Sequence, residues 1–261
     1  YQALNSNTTG IGNSAFSAAL YSNTTGSNNT GIGYAALNFN TTGNNNTSIG
    51  FYSLFNNTAH NNTAVGYQAG YNNTTGSPNS YFGYLAGYGL TNGTNNTFIG
   101  YQSGYNNTDG YSNSSLGYNS LSTNTTGNYN NFFGLYAGRF NGAGGSNNFF
   151  GKSAGYYNTG NNNNFFGDTA GFCNTTGSNN NFIGFCAGGA NTFGCYNNFF
   201  GRLSGACNTT GSYNNFFGLN AGRSNTTGNN NTFIGQCAGY SNTLGQGGVF
   251  IGAGSGQCSI T

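Results

Sequence analysis

His60 is the chain's single histidine, and Asp109 and Asp168 are its only acids. An imidazole beside a carboxylate or a hydroxyl would point to acid–base or nucleophilic chemistry. Here His60 closes the turn Asn56-Asn57-Thr58-Ala59-His60, with neither partner in register. Asp109 and Asp168 fall in different turns of the repeat described below, too far apart for paired acids or a calcium cage. The six cysteines, Cys173, Cys186, Cys195, Cys207, Cys237 and Cys258, lack CxxC spacing. An even count without that spacing argues for disulfides over zinc. The expectation is a protein that is not an enzyme, with no catalytic, cofactor-binding or metal site.

A second chemistry is modification. Asn7, Asn23, Asn40, Asn73, Asn124, Asn174, Asn208 and Asn225 each begin an Asn-Thr-Thr sequon in one recurring turn. They are candidates for a row of N-glycans. The alternative is turn chemistry, since Asn and Thr side chains close backbone turns well.

Charged residues make up 2% of the chain, and the net charge is +2. That is too little for an electrostatic footprint on nucleic acid, so no nucleic-acid partner is expected. No apolar run approaches the roughly 20 residues of a membrane-spanning helix, so no membrane insertion is expected either. The chain starts at Tyr1 without a leader, which reads as a processed product or an excerpt. Aromatics at 16% set it apart from a disordered polar tail.

What must position these residues is a repeat. A glycine follows an apolar residue at Gly12, Gly33, Gly50, Gly66, Gly83, Gly100 and Gly117. It does so again at Gly134, Gly151, Gly167, Gly184, Gly201, Gly218, Gly235 and Gly252. Eleven of the 14 intervals are 17 residues, two are 16 and the first is 21. Gly, Asn and Thr are poor helix formers, and no helical apolar period exists. A period of this length predicts an all-β fold, a parallel β-solenoid of about 15 rungs over residues 1–261. The chain reads as a single repeat domain, with atypical first rungs over 1–33 and an aromatic- and Cys-rich half from about 130.

Columns are numbered here from that central glycine. The −1 column is apolar throughout, from Ile11 and Ile32 to Ile234 and Ile251, and the +3 column is Ala or Ser. These two are expected to form a narrow core. Asn fills the −4 column from Asn29 to Asn231, where stacked amides can bond along the axis. The −2 column is uneven: small at Gly31, Ser48 and Ala64, then Phe132, Phe149, Phe165, Phe182, Phe199, Phe216, Phe233 and Phe250. Neighbours on a strand face opposite sides, so −1 and −2 cannot share one interior. Either this Phe stripe is core, or it lies outside as a self-association surface; the outward placement is the expectation adopted. By columns, Cys173 (+6) pairs with Cys186 (+2), Cys237 (+2) with Cys258 (+6), and Cys195 with Cys207, unless the thiols are simply small apolar residues. Arg139 and Arg223 share the +5 column and are expected to stack on neighbouring tyrosines.

The segments Asn95-Asn-Thr-Phe-Ile-Gly-Tyr-Gln-Ser-Gly104 and Asn61-Asn-Thr-Ala-Val-Gly-Tyr-Gln-Ala-Gly70 resemble the head repeats of YadA-type trimeric autotransporter adhesins. Similar Asn-Thr-Gly-rich repeats occur in phage tail fibres. The resemblance implies a β-roll, three chains side by side and surface attachment. The functional expectation is an extracellular or virion-surface fibre module, structural or adhesive, whose partner is itself. Carbohydrate or ice binding is the alternative. Cell-surface glycans would stack on the +1 column of Tyr34, Phe51, Tyr67, Tyr84, Tyr101 and Tyr118. The Thr file an ice surface would need starts at Thr30, Thr47 and Thr63 but drifts to Asn131, Asn148 and Asn164.

Overall fold

A computed structural model of the chain describes residues 2–257. The fold is a parallel β-solenoid, as the repeat predicts. The chain divides into two compact units, 1–130 and 131–261, at the change in composition seen in the sequence.

Among the described residues, the first unit carries β1 (Ser14–Phe16), β2 (Thr30–Ile32), β3 (Thr47–Ile49), β4 (Thr63–Val65), β5 (Asn79–Phe82), β6 (Asn96–Ile99) and β7 (Ser114–Leu116). Each pairs in parallel with the next, one rung on. The second unit repeats the arrangement with β8 (Asn131–Phe133), β9 (Asn148–Phe150), β10 (Asn164–Phe166), β11 (Asn181–Ile183), β12 (Asn198–Phe200), β13 (Asn215–Phe217), β14 (Thr232–Ile234) and β15 (Val249–Ile251). Most strands are only three residues long, covering columns −3 to −1. The rest of each rung is turns, closed by the central glycine at a φ such as +135° at Gly184.

The first rung is not the one the sequence suggested. Phe16, not Ile11, pairs with Ile32, and Ile11 is fully outside. Asn13 sets this register: its Oδ1 accepts the Asn29 N–H at 2.9 Å and its Nδ2 donates to the Gly26 carbonyl at 2.7 Å. The apparent 21-residue interval thereby becomes an ordinary spacing of 16 between Phe16 and Ile32.

The core is the −2 column, which corrects the expected arrangement. Phe132, Phe149, Phe165, Phe182, Phe199, Phe216 and Phe233 are completely buried, and Phe250 in the last strand is half-buried. Their rings stack parallel, with centroids 4.5–4.9 Å apart. The −1 residues point outward instead. The +3 Ala and Ser residues are inside, as expected.

The physical reason lies across the rung, at +4. Where −2 is aromatic, +4 is glycine; where −2 is small, +4 is leucine, except in the Ala64 rung, where +4 is Gly70 and Leu54 and the Tyr81 ring fill the space from the rungs on either side. Gly31 shares its rung with Leu37, Ser48 with Leu54 and Ser115 with Leu121, all three leucines fully buried, and Leu20 of the rung before comes within 3.4 Å of where a Cβ on Gly31 would stand. One volume is filled from either side, so the gaps in the −2 column are not gaps in the core. Ser48 and Ser115 each satisfy their hydroxyls with a +3 serine, Ser53 and Ser120.

Amide files close the opposite side of each rung. Asn197 Oδ1 accepts the backbone N–H of Asn214 at 3.0 Å, and Asn197 Nδ2 donates to the Gly211 carbonyl at 2.8 Å. This −4 file runs along the axis as the sequence predicts. A second file, at +7, is the Asn of the Asn-Thr-Thr turn. Asn208 Nδ2 donates both to Asn191 Oδ1 at 2.7 Å and to the same Gly211 carbonyl at 2.9 Å. The following threonine adds its hydroxyl, as Thr209 does to the Thr226 carbonyl at 3.0 Å.

Candidate functional site

The candidate catalytic groups stay apart. His60 Nδ1 accepts the backbone N–H of Asn44 at 2.9 Å, as one member of a −6 file of turn acceptors. Asn128, Ser178 and Ser212 play the same part in their own rungs. Asp109 accepts from Asn92 Nδ2 at 3.1 Å and from the Thr91 hydroxyl at 3.3 Å, and Asp168 lies in the other unit. Among the described residues no group of three or more His, Cys, Asp or Glu side chains is placed to hold a metal. No helix among them is long and apolar enough to cross a membrane.

The sequons do not offer their nitrogens. Asn23, Asn40, Asn73, Asn124, Asn174, Asn208 and Asn225 are completely buried. Each spends both Nδ2 hydrogens, one on the preceding rung's amide and one on a glycine carbonyl three residues ahead. Asn7 donates to the Gly10 carbonyl at 2.9 Å and accepts from Asn23 at 2.7 Å. A glycan on Nδ2 would replace one of these hydrogens and needs room that the packed turn lacks. Seven of the eight glycosylation candidates are therefore structural amides in this fold, and Asn7, half-buried in the first rung, donates only once.

The disulfide candidates Cys173, Cys186, Cys195, Cys207 and Cys237 are all free thiols, and Cys258 lies outside the described residues. Cys195 is engaged in the −6 file, its Sγ accepting the Ser178 N–H at 3.3 Å. Cys207 is exposed. The two arginines behave as the +5 column suggested. Arg139 lies 5.0 Å from the Tyr136 ring centroid and donates to the Tyr156 hydroxyl at 3.3 Å. Arg223 donates to the Tyr240 hydroxyl at 3.1 Å.

What remains as a surface is the outward side of the strands and the corner beside it. In the first unit, Ile32, Ile49, Phe82, Ile99 and Leu116 at −1 line up beside Tyr34, Phe51, Tyr67, Tyr84, Tyr101 and Tyr118 at +1. All eleven are 36–45% exposed. The +1 rings stack in one file with centroids 4.8–5.5 Å apart. That stacking uses the ring faces and leaves edges and hydroxyls to solvent. A sugar needs a free face to stack on, so the column suits apolar contact along its edges better than glycan stacking.

In the second unit the −1 file is Phe133, Phe150, Phe166, Ile183, Phe200 and Phe217, half-buried to exposed. Beside it, the −3 amides of Asn131, Asn148, Asn164, Asn181, Asn198 and Asn215 donate one to the next, each at 2.8 Å. Lys152, Asp168 and Arg202 interrupt its +1 column. Sequence reasoning found these residues but took the −2 column, one residue away, for the outward one. Fold and files together define a β-solenoid repeat protein. No protein-family model matches the chain, and no match is found among curated proteins or solved structures.

Proposed function

We propose that the chain is a non-enzymatic structural module that associates with further copies of itself through its outward apolar files. The observation that carries this is the two-column face of the first unit. A large apolar side chain presents about 200 Å²; at the exposures above, its eleven residues offer roughly 900 Å². A stable interface needs about 800 Å² from each partner. Exposed apolar patches of this size mark contact surfaces.

A second copy is the partner this face fits best. The first unit carries a single formal charge, Asp109, outside the two columns, so the face has no charge pattern to complement a charged partner. Its period is the rung spacing, and an identical ladder matches that period at every step, as in dry zipper interfaces. Adhesion at a cell or virion surface belongs to this reading through the sequence resemblance alone.

Sedimentation velocity tests the proposal. The native chain is expected to sediment as a dimer or larger, and a Tyr84→Lys, Tyr101→Lys double variant as a monomer with an unchanged circular dichroism spectrum. A native chain that stays monomeric at every concentration overturns it.

A further inference from the structure

We propose that Cys173 and Cys186 form a reversible disulfide site, closed by a small-molecule disulfide such as oxidised glutathione. This is independent of the association described above. The two thiols sit at +6 in one rung and +2 in the next, and the fold shows where side chains at those columns go. A +6 side chain reaches the +5 side chain of the following rung. Tyr157 touches Phe172 in this way with ring centroids 5.5 Å apart, and Phe39 touches Phe55 at 5.0 Å. A +2 side chain reaches +5 in its own rung, as Tyr52 reaches Phe55 at 4.9 Å. Both paths therefore meet at one place, the +5 side chain.

In the Cys186 rung, +5 is Gly189, which has no side chain to fill that place. Cys186 Sγ has moved into it, 2.5 Å from where a Cβ on Gly189 would stand. From the rung before, the Cys173 N–H donates to the Gly189 carbonyl at 3.0 Å, seating that residue against the same glycine. Burial, with the nearby Cys186 thiol second, pushes the Cys173 thiol above its ordinary pKa. Cys173 therefore keeps its proton at neutral pH, and closing the pair takes an added disulfide. The other cysteines lack this arrangement: the +2 residue in the rung after Cys207 is Asn220, and the +6 residue in the rung before Cys237 is Ser224.

The exchange balances without a further reagent. One protein thiolate attacks a sulfur of oxidised glutathione, forming a mixed disulfide and releasing one glutathione thiolate. The second protein thiol, giving up its proton, then attacks the protein sulfur of the mixed disulfide and expels the other glutathione. The protein loses two hydrogens, and the oxidised glutathione becomes two reduced molecules.

The test is non-reducing peptide mapping of the full chain after incubation with oxidised glutathione. Chymotrypsin cuts after Phe172, Phe182, Phe185 and Phe193, which puts the two thiols in separate peptides. A cross-linked pair joining 173–182 to 186–193, lighter by about two hydrogens and split by reductant, is expected. Gly189→Ala puts a methyl group into the vacancy and should slow closure several-fold, while Cys207→Ser should leave it unchanged. Both thiols still alkylating singly after oxidation overturns the proposal. So does a first cross-link at Cys195 or Cys207, or a Gly189→Ala variant that closes at the native rate.

Discussion

A Cβ built on Gly171 would lie 2.4 Å from Cε2 of Phe165, so this glycine is shaped by the ring it faces. Replacing it with alanine forces the ring away and places a side chain at φ +59°. Gly171→Ala is expected to cost about 2–4 kcal/mol, combining overpacking with left-handed backbone strain. Phe165→Ala should cost about 3–5 kcal/mol through the cavity it leaves. Leu54 and Leu121 hold the same column at φ +46° and +53°, so a leucine is compatible with it. The double variant Phe165→Ser, Gly171→Leu rebuilds the Ser115–Leu121 pairing, which the protein already seats beside the Phe98 rung. It should be clearly more stable than the sum of its single changes, read from a urea double-mutant cycle.

Phe166 gives the contrasting case, one residue along and on the other side of the strand. It is exposed, and its loss opens no cavity. Phe166→Ser is expected to change stability by less than about 1 kcal/mol. Equal losses at Phe165 and Phe166 in chemical denaturation would mean that the column assignment is wrong.

The period was legible in the sequence from the Gly33 rung onward, because a glycine and an apolar residue return once per rung, but the first rung, which Asn13 and Phe16 set, was not. Which of two adjacent columns faces inward was legible too, but only by reading across the rung. The −1 column looks like the core because it is unbroken from Ile32 to Ile251. The −2 column looks broken because Gly31, Ser48 and Ser115 are compensated by Leu37, Leu54 and Leu121, four residues past the central glycine, and Ala64 by the neighbouring rungs' Leu54 and Tyr81. The sequons misled for a related reason. Asn141, Asn158 and Asn191 occupy the same place with no Ser or Thr two residues on, so the column selects the amide and not the sequon. The vacancy at Gly189 could not be read from spacing, since it depends on where the +2 side chain turns.

The buried amide file makes its own test. Asn208 donates to Asn191 and accepts from Asn225 Nδ2 at 2.7 Å. Asn208→Leu keeps the shape but strips both neighbours of a partner, at about 1–3 kcal/mol for each buried orphan. The chain already contains such breaks: Asn40 Oδ1 and Asn225 Oδ1 are buried without a hydrogen-bond partner, and a third break falls at a leucine. Leu90 stands in the file, and Asn73 Oδ1, one rung before it, is buried without a hydrogen-bond partner. Leu90→Asn should therefore raise the melting temperature while Asn208→Leu lowers it. Peptide mass mapping of soluble protein made in a glycosylating host should find Asn208 and Asn174 bare, since both sit in this file.

Tyr81 sets a limit on the alkaline side. Its ring fills the first unit's core against Gly87, but its hydroxyl is buried without a partner. Burial pushes its pKa well above the ordinary tyrosine value. The folded chain therefore holds this proton more tightly than the unfolded chain does. The sign follows by linkage: stability is unaffected by this group below about pH 10. Above that, the unfolded chain ionises while the folded one cannot, and stability falls by about 1.4 kcal/mol per pH unit from this group alone. Tyr81→Phe removes both the orphan hydroxyl and the ionisation. It should gain about 1–2 kcal/mol at neutral pH, because the ring stays and the unsatisfied polar atom goes. Urea titrations of the two proteins between about pH 8 and pH 11 measure this directly. The difference between them should widen as pH rises above the ordinary tyrosine range, and a constant difference would show that Tyr81 keeps no proton the unfolded chain loses.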